Sequence, residues 1–206
     1  QHHRLQPKRC LSRLFATNRH LHRHLAPKHP QMDEHTLDVL IDTQSLAARI
    51  EAMGREIASV IDDDWVVIGL LQGAVPFAAD LMRALARAGR HPLTDWLWLS
   101  SYGDARASSG RVQIRADVSK PVEGRGVLIV DDVFDTGRTL TFARDHLASQ
   151  GATRVLTAVL ARKPASVVTG EPDWIGFELP DRYLVGYGLD DAGRGRGIPF
   201  LGAVKT

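Results

Sequence analysis

The chain has 206 residues, enough for one domain and a remainder. Its 26 Lys and Arg against 24 Asp and Glu give a formal charge of +2, but residues 1–31 hold seven of those cations, six His and no acid, so residues 32–206 carry 19 cations against 24 acids, a formal charge of −5. The basic excess therefore gives no argument for nucleic-acid binding by the globular part. No run approaches the roughly 18 apolar residues of a membrane span, and the single Cys10 leaves residues 32–206 with neither a disulfide nor a thiol nucleophile.

Residues 1–31 are expected to be a disordered, dispensable extension. Met32 is the first methionine, and the segment before it reads as an upstream extension or a misassigned start. A transit peptide or a metal-binding His tract are the functional alternatives. A reducing cytoplasm fits the cysteine usage.

Leu46, Ile50, Met53 and Ile57 fall at helical spacing behind Asp42-Thr43, a candidate N-cap. Trp65–Leu71 is a continuous apolar run, read as a buried strand, and 72–76 breaks it. Phe77–Ala88 resumes as a helix, and Leu93–Leu99 is a second strand. The polar stretch 102–111 is too long for a tight turn and is expected to be a mobile loop. Val112–Val118 alternates like a strand. Val127–Val130 reads as a buried strand that stops at Asp131, with a helix following to about Gln150. Val155–Ala161 is a further strand. Ile175–Leu179 and Tyr183–Val185 are read as short strands around Pro180-Asp181. This alternation implies an α/β fold, a mainly parallel sheet flanked by helices on both faces.

The most informative stretch is Val127 to Leu140, whose apolar run ends in Asp131-Asp132 and continues Val133-Phe134-Asp135-Thr136-Gly137-Arg138-Thr139. Gly137 permits a tight turn in which successive N–H groups point at one anion, and the N-terminus of the following helix adds its amides and dipole. Residues 136–139 are thus a candidate phosphate cradle. Asp131 and Asp132 repel a bare phosphate, but they suit a ligand that also offers hydroxyls or a metal. A phosphorylated ribose combines these features. In open α/β sheets such a ligand binds beyond the carboxyl ends of the strands.

This segment resembles the phosphoribosyl diphosphate (PRPP) signature of the type I phosphoribosyltransferases. From about Leu70 to Val204 the chain resembles the hypoxanthine–guanine phosphoribosyltransferase family. The matching stretches are 69–73, Ser100-Ser101-Tyr102-Gly103, the signature, Ala161-Arg162-Lys163-Pro164, and 176–190. The resemblance implies the type I phosphoribosyltransferase fold with a small hood from the N- and C-terminal segments. It also implies transfer of 5-phosphoribosyl from PRPP to hypoxanthine or guanine, with Mg²⁺ as cofactor and a homodimer or homotetramer as the assembly.

The resemblance assigns roles residue by residue. Asp131 and Asp132 would serve the ribose hydroxyls and their metal environment, and Asp190 a second Mg²⁺. Thr136, Gly137, Arg138 and Thr139 would hold the phosphate. Asp135 would handle the proton at N7 of the purine; as a turn acid it is also a candidate helix cap. Gln72, Gly73 and Arg196 would meet the diphosphate, with Arg194 a competitor. Lys163 would donate to the 6-oxo group, whereas an ungapped match offers Arg162 instead. Tyr183 would stack on the base, Leu184 would read its edge through backbone groups, and Ser101 and Tyr102 would belong to a loop covering the site.

Two departures stand out. Gln72 occupies a position where many relatives carry a cation, so charge at the diphosphate would fall to Mg²⁺ and Arg196. Residues 191–195, Asp-Ala-Gly-Arg-Gly, replace a more aromatic stretch, and a looser backbone is expected there. The rival readings are a phosphoribosyltransferase-fold RNA-binding regulator of pyrimidine genes, disfavoured by the charge of −5, and a xanthine-preferring enzyme.

Overall fold

Strands buried on both faces must be apolar at every position, and three such runs form the centre of the molecule. A computed structural model describes residues 36–101, 112–164 and 169–205. Its main sheet has six strands in the order β4-β3-β2-β5-β6-β7. These are β2 (Val66–Leu71), β3 (Leu93–Ser101), β4 (Val112–Ala116), β5 (Gly126–Phe134), β6 (Arg154–Arg162) and β7 (Trp174–Glu178). All neighbours run parallel except β4, which is antiparallel to β3 at the edge.

The period-two alternation of the strands sorts their side chains between two cores. Val67, Leu128, Val130, Ala158 and Leu160 face α1 (Thr43–Ala58) and α2 (Val75–Arg87). Val66, Ile68, Val127, Ile129 and Val159 face the opposite way, against Leu140, Ala143 and Leu147 of α3 (Arg138–Ser149). The expected α/β architecture with helices on both faces is therefore observed. Asp42 caps α1 as expected, its carboxylate accepting a hydrogen bond from the Ser45 N–H at 2.7 Å. Among the described residues no helix is long and apolar enough to cross a membrane.

Several boundaries differ from the sequence reading. Strand β5 does not stop at Asp131 but continues to Phe134, because its backbone keeps pairing with β6, Asp131 opposite Val159 and Phe134 opposite Arg162. Helix α2 begins at Val75, before Pro76, because proline is tolerated in a first turn, where the N–H has no intrahelical acceptor. Strand β4 ends at Ala116. Tyr183 lies outside β8 (Leu184–Val185).

A second sheet, β1-β9-β8, joins β1 (Leu37–Ile41), β9 (Leu201–Val204) and β8 in antiparallel pairs. Leu37, Val185 and Phe200 form its small core. It is the hood implied by the resemblance, and its strands β1 and β9 carry no strand signal in the sequence reading above. The Arg182 guanidinium ties it together by donating to Asp38 at 2.6 Å and to the Val204 carbonyl at 2.8 Å.

Candidate active site

The carboxyl end of β5 delivers two acids into the interior. Asp131 is buried and Asp132 partly so. The Asp132 N–H donates to the Asp131 carboxylate at 2.9 Å, and the Val133 N–H to the Asp132 carboxylate at 2.7 Å. Burial raises both carboxyls above the usual range, and for Asp131 the neighbouring Asp132 adds to it. Arg196 works in the opposite direction on Asp132. Two adjacent buried acids so poorly neutralised from within the protein suit a ligand that brings hydroxyls or a cation.

Just beyond, Gly137 adopts φ +79 and caps α3 without a side-chain hydrogen bond. A Cβ there would lie 2.1 Å from the Thr169 carbonyl oxygen and 3.0 Å from the Phe134 ring, so glycine is required sterically as well as conformationally. The N–H groups of the first turn of α3 have no intrahelical acceptor, as an anion cradle needs. Asp135 and Thr136 are exposed on this loop. The cap reading of Asp135 is corrected: Gly137 is the cap, and among the described residues the Asp135 side chain makes no hydrogen bond. Sequence reasoning missed Thr169. Its N–H donates to the Thr136 carbonyl at 3.0 Å and its hydroxyl to the same oxygen at 3.1 Å, which buttresses the cradle. No local pattern could have shown a contact across 33 residues.

The turn after β2 faces these acids. The Leu71–Gln72 peptide is cis. Gln72 is exposed and Gly73 buried, and a Cβ on Gly73 would fall 1.6 Å from the Asp132 carboxylate oxygen Oδ2. A cleft of about 270 Å³ gathers Gln72, Gly73, Asp131, Asp132, Thr139, Asp190 and Arg196. Arg196 holds Asp190 at 2.5 Å and donates to the Gly188 carbonyl at 2.7 Å. Arg194 is exposed and does not line this cleft. The expected looseness of 191–195 is also corrected. Asp191 and Arg194 exchange backbone hydrogen bonds of 2.9 and 3.0 Å around Ala192 (φ +49) and Gly193 (φ +81), a closed two-residue turn.

A second cleft, about 480 Å³, is lined by Phe134, Arg162, Lys163, Glu171, Glu178 and Leu179. Both candidates for the 6-oxo contact border it. Arg162 is held by Glu178 at 2.6 Å and Glu171 at 2.8 Å, and Lys163 pairs with Asp181 at 3.0 Å. The Lys163 N–H donates to the Phe134 carbonyl at 2.9 Å, fixing the lysine beside the end of β5. Tyr183 is 58% exposed, and its hydroxyl donates to the Asp190 carbonyl at 3.1 Å. Burial raises the Tyr183 hydroxyl above its ordinary value, helped by Asp191 and Asp190. The Leu184 side chain is buried in the core under β8. Ser101 closes β3, and Tyr102 and the expected loop lie outside the described residues.

Among the described residues no three His, Cys, Asp or Glu side chains come together as a metal cage. The acids present suit a hard cation bound by one or two carboxylates, with the remaining oxygens from ligand and water. Arg196 and the Gly193 N–H (2.6 Å) each engage one of the two Asp190 oxygens, which leaves a lone pair on each for a cation.

The sequence model described as "Phosphoribosyl transferase domain" matches residues 42–192. The hypoxanthine-guanine phosphoribosyltransferase of Bacillus subtilis is 36% identical over 177 residues, covering 84% of this chain and 97% of that protein. The chain belongs to the hypoxanthine–guanine phosphoribosyltransferase family. The bifunctional protein TilS/HprT of Listeria innocua is 40% identical over 169 residues, covering 81% of this chain but 26% of that protein. The chain thus spans about a quarter of the length of that relative. The crystal structure of a hypoxanthine phosphoribosyltransferase from Staphylococcus aureus superposes with a TM-score of 0.77 at 28% identity, over 85% of this chain and 97% of that one. The fold is that of the type I phosphoribosyltransferases.

Proposed function

We propose that the protein transfers the 5-phosphoribosyl group of PRPP to hypoxanthine and guanine, giving IMP or GMP and diphosphate. The observation that carries this reading is the single cleft beyond β2 and β5, which unites Asp131, Asp132, Thr139, Gly73, Asp190 and Arg196 next to a second cleft bordered by Lys163. A sugar phosphate with a vicinal diol and a diphosphate suits that set of groups.

In this reading residues 136–139 and the start of α3 hold the 5′-phosphate. Asp131 and Asp132 accept hydrogen bonds from the ribose hydroxyls. Gly73, Gln72 and Arg196 surround the diphosphate; the exposed Gln72 brings no charge, so among the described residues lining the cleft Arg196 supplies the cation there. Mg²⁺ fits the donor set through Asp131, Asp132 and Asp190. Bound there, it would neutralise charge developing on the leaving diphosphate. Ribosyl transfer passes through a cation-like sugar, which the adjacent carboxylates steady electrostatically. Asp135 takes up or returns the N7 proton, Lys163 donates to the 6-oxo group, Tyr183 stacks on the ring and Leu184 offers its backbone. Ser101 and Tyr102 belong to the cover that excludes water. A homodimeric or homotetrameric assembly, carried by the resemblance, and a cytoplasmic location, carried by the cysteine usage, belong to the same reading.

Steady-state assays with PRPP, Mg²⁺ and hypoxanthine, guanine, xanthine, adenine or uracil in turn test the reading. Turnover is expected with hypoxanthine and guanine. Turnover confined to xanthine or to uracil, or none with any base, refutes it.

A further inference from the structure

Asp190 and Arg196 sit on a segment whose backbone is unusually constrained. Gly186 and Leu189 exchange hydrogen bonds of 3.0 Å around Tyr187 and Gly188, a two-residue turn. Its first central residue, Tyr187, has φ +46, where asparagine, aspartate or glycine is the normal choice. A tyrosine there needs support from outside the turn. The support is visible. The Tyr187 ring is buried, its N–H donates to the Ile198 carbonyl at 2.8 Å, and its hydroxyl donates to the Asp80 carboxylate at 2.5 Å. Asp80 lies on α2, and its other oxygen pairs with Arg83 at 2.6 Å.

This hydrogen bond connects the two sides of the diphosphate cleft. Helix α2 begins directly after the Gln72–Ala74 turn, so its position sets that of Gly73. On the other side, Gly188 gives its N–H to the Arg196 carbonyl at 2.9 Å and accepts from the Arg196 guanidinium through its own carbonyl. The two sides touch where Gly188 meets Gly73: a Cβ on Gly188 would lie 1.9 Å from the Gly73 carbonyl oxygen. Burial and the Asp80 carboxylate push the Tyr187 hydroxyl far above its ordinary value, so it remains a neutral donor throughout the working pH range.

We propose that the Tyr187–Asp80 hydrogen bond braces the diphosphate side of the site, with Tyr187 and Asp80 as positioning residues for Arg196 and Asp190. Neither touches substrate. The inference rests on the functional reading above and deepens it: binding of PRPP and of diphosphate depends on a contact made outside the cleft, whereas binding of the base does not.

The test compares wild type with Tyr187→Phe, Asp80→Ala, Asp80→Asn and the double variant Tyr187→Phe/Asp80→Ala. KM is measured for PRPP and for hypoxanthine, and binding of inorganic diphosphate with Mg²⁺ is followed by calorimetry. Tyr187→Phe and Asp80→Ala should each weaken PRPP and diphosphate by about tenfold, the scale of one hydrogen bond to a charged group. The double variant should be no worse than either single one. Asp80→Asn keeps an acceptor and should stay near wild type, and the KM for hypoxanthine should stay within about twofold. Should Tyr187→Phe fail to fold, Asp80→Ala and its rescue by Asp80→Asn decide the matter. A lower melting temperature with unchanged PRPP and diphosphate affinity, or independent effects that add in the double variant, overturns the inference alone. A wild-type protein that binds neither PRPP nor diphosphate overturns the functional reading with it.

Discussion

Replacing Gly73 by alanine tests the geometry of the cleft with one methyl group. The new Cβ would lie 1.6 Å from Oδ2 and 2.7 Å from Cγ of Asp132, where ordinary contact begins at 3.4 Å, a shortfall of about 1.8 Å. Neither side can easily yield. The other carboxylate oxygen of Asp132 is held by the Val133 N–H at 2.7 Å, and the Gly73 carbonyl is packed against Gly188. Overpacking of this kind costs about 1–3 kcal/mol, so the variant should fold with a lowered melting temperature. Its larger effect should be functional, because displacing a substrate-orienting group by about 1 Å can cost 10²-fold in rate. With hypoxanthine saturating, kcat/KM for PRPP should fall by about 10²-fold, while the KM for hypoxanthine changes little. The assay is continuous absorbance of IMP formation, with a thermal melt on the same sample. Kinetics within twofold of wild type together with an unchanged melt would show that Asp132 has room to move and that its observed position is not needed by the ribose.

Three further outcomes follow from the site. Asp135→Asn should lower turnover by about 10²–10⁴-fold, the usual worth of general acid–base help, with PRPP binding by calorimetry nearly unchanged; undiminished turnover would remove Asp135 from the proton path. Lys163→Ala should blunt discrimination between 6-oxopurines and 6-aminopurines, and if Arg162→Ala does so instead, the residue reading the 6-oxo group has been misassigned. Asp131→Asn should weaken use of PRPP yet stabilise the free protein by about 2–4 °C near neutral pH. The sign follows from burial, which raises the native carboxyl above its unfolded value. The native state therefore holds more protons between the two values, and wild-type stability falls as pH rises through that interval. Melts across pH should show the gain of Asp131→Asn closing toward acid; a gain that grows toward acid would contradict the assignment.

The parts of this fold that announce themselves in sequence are those whose burial is decided locally. Val66–Leu71, the first half of β5 and most of β6 are covered on both faces, and continuous apolar runs follow directly. Helix α1 was legible because Leu46, Ile50, Met53 and Ile57 share one buried face behind a side-chain cap. The hood was not legible strand by strand. Its register joins Leu37 to Val204 and Leu184 to Ala203, so short segments gain their pairing from partners far along the chain. The site shows the same division. Its residue types could be carried over from a family pattern, and the cleft does unite seven of them. The choice between Lys163 and Arg162 could not be made from sequence, because both border one cleft and are held by acids from other segments: Asp181 for the one, Glu171 and Glu178 for the other.

The sharpest departures from local preference fall around the same cleft. A strand normally ends where charge begins, yet β5 carries Asp131 and Asp132 inside a continuous ladder. A two-residue turn normally places glycine or asparagine at its first centre, yet Tyr187 stands there at φ +46. Adjacent acids drawn into the interior and countered only in part by Arg196, and a tyrosine in the left-handed region, are both unfavourable in the free protein. Each is retained beside residues that would meet a polyanionic sugar phosphate, and away from that cleft the strands and helices mostly obey their local rules. Departures from local preference that gather around one cleft mark a binding site more sharply than any of the residues does alone.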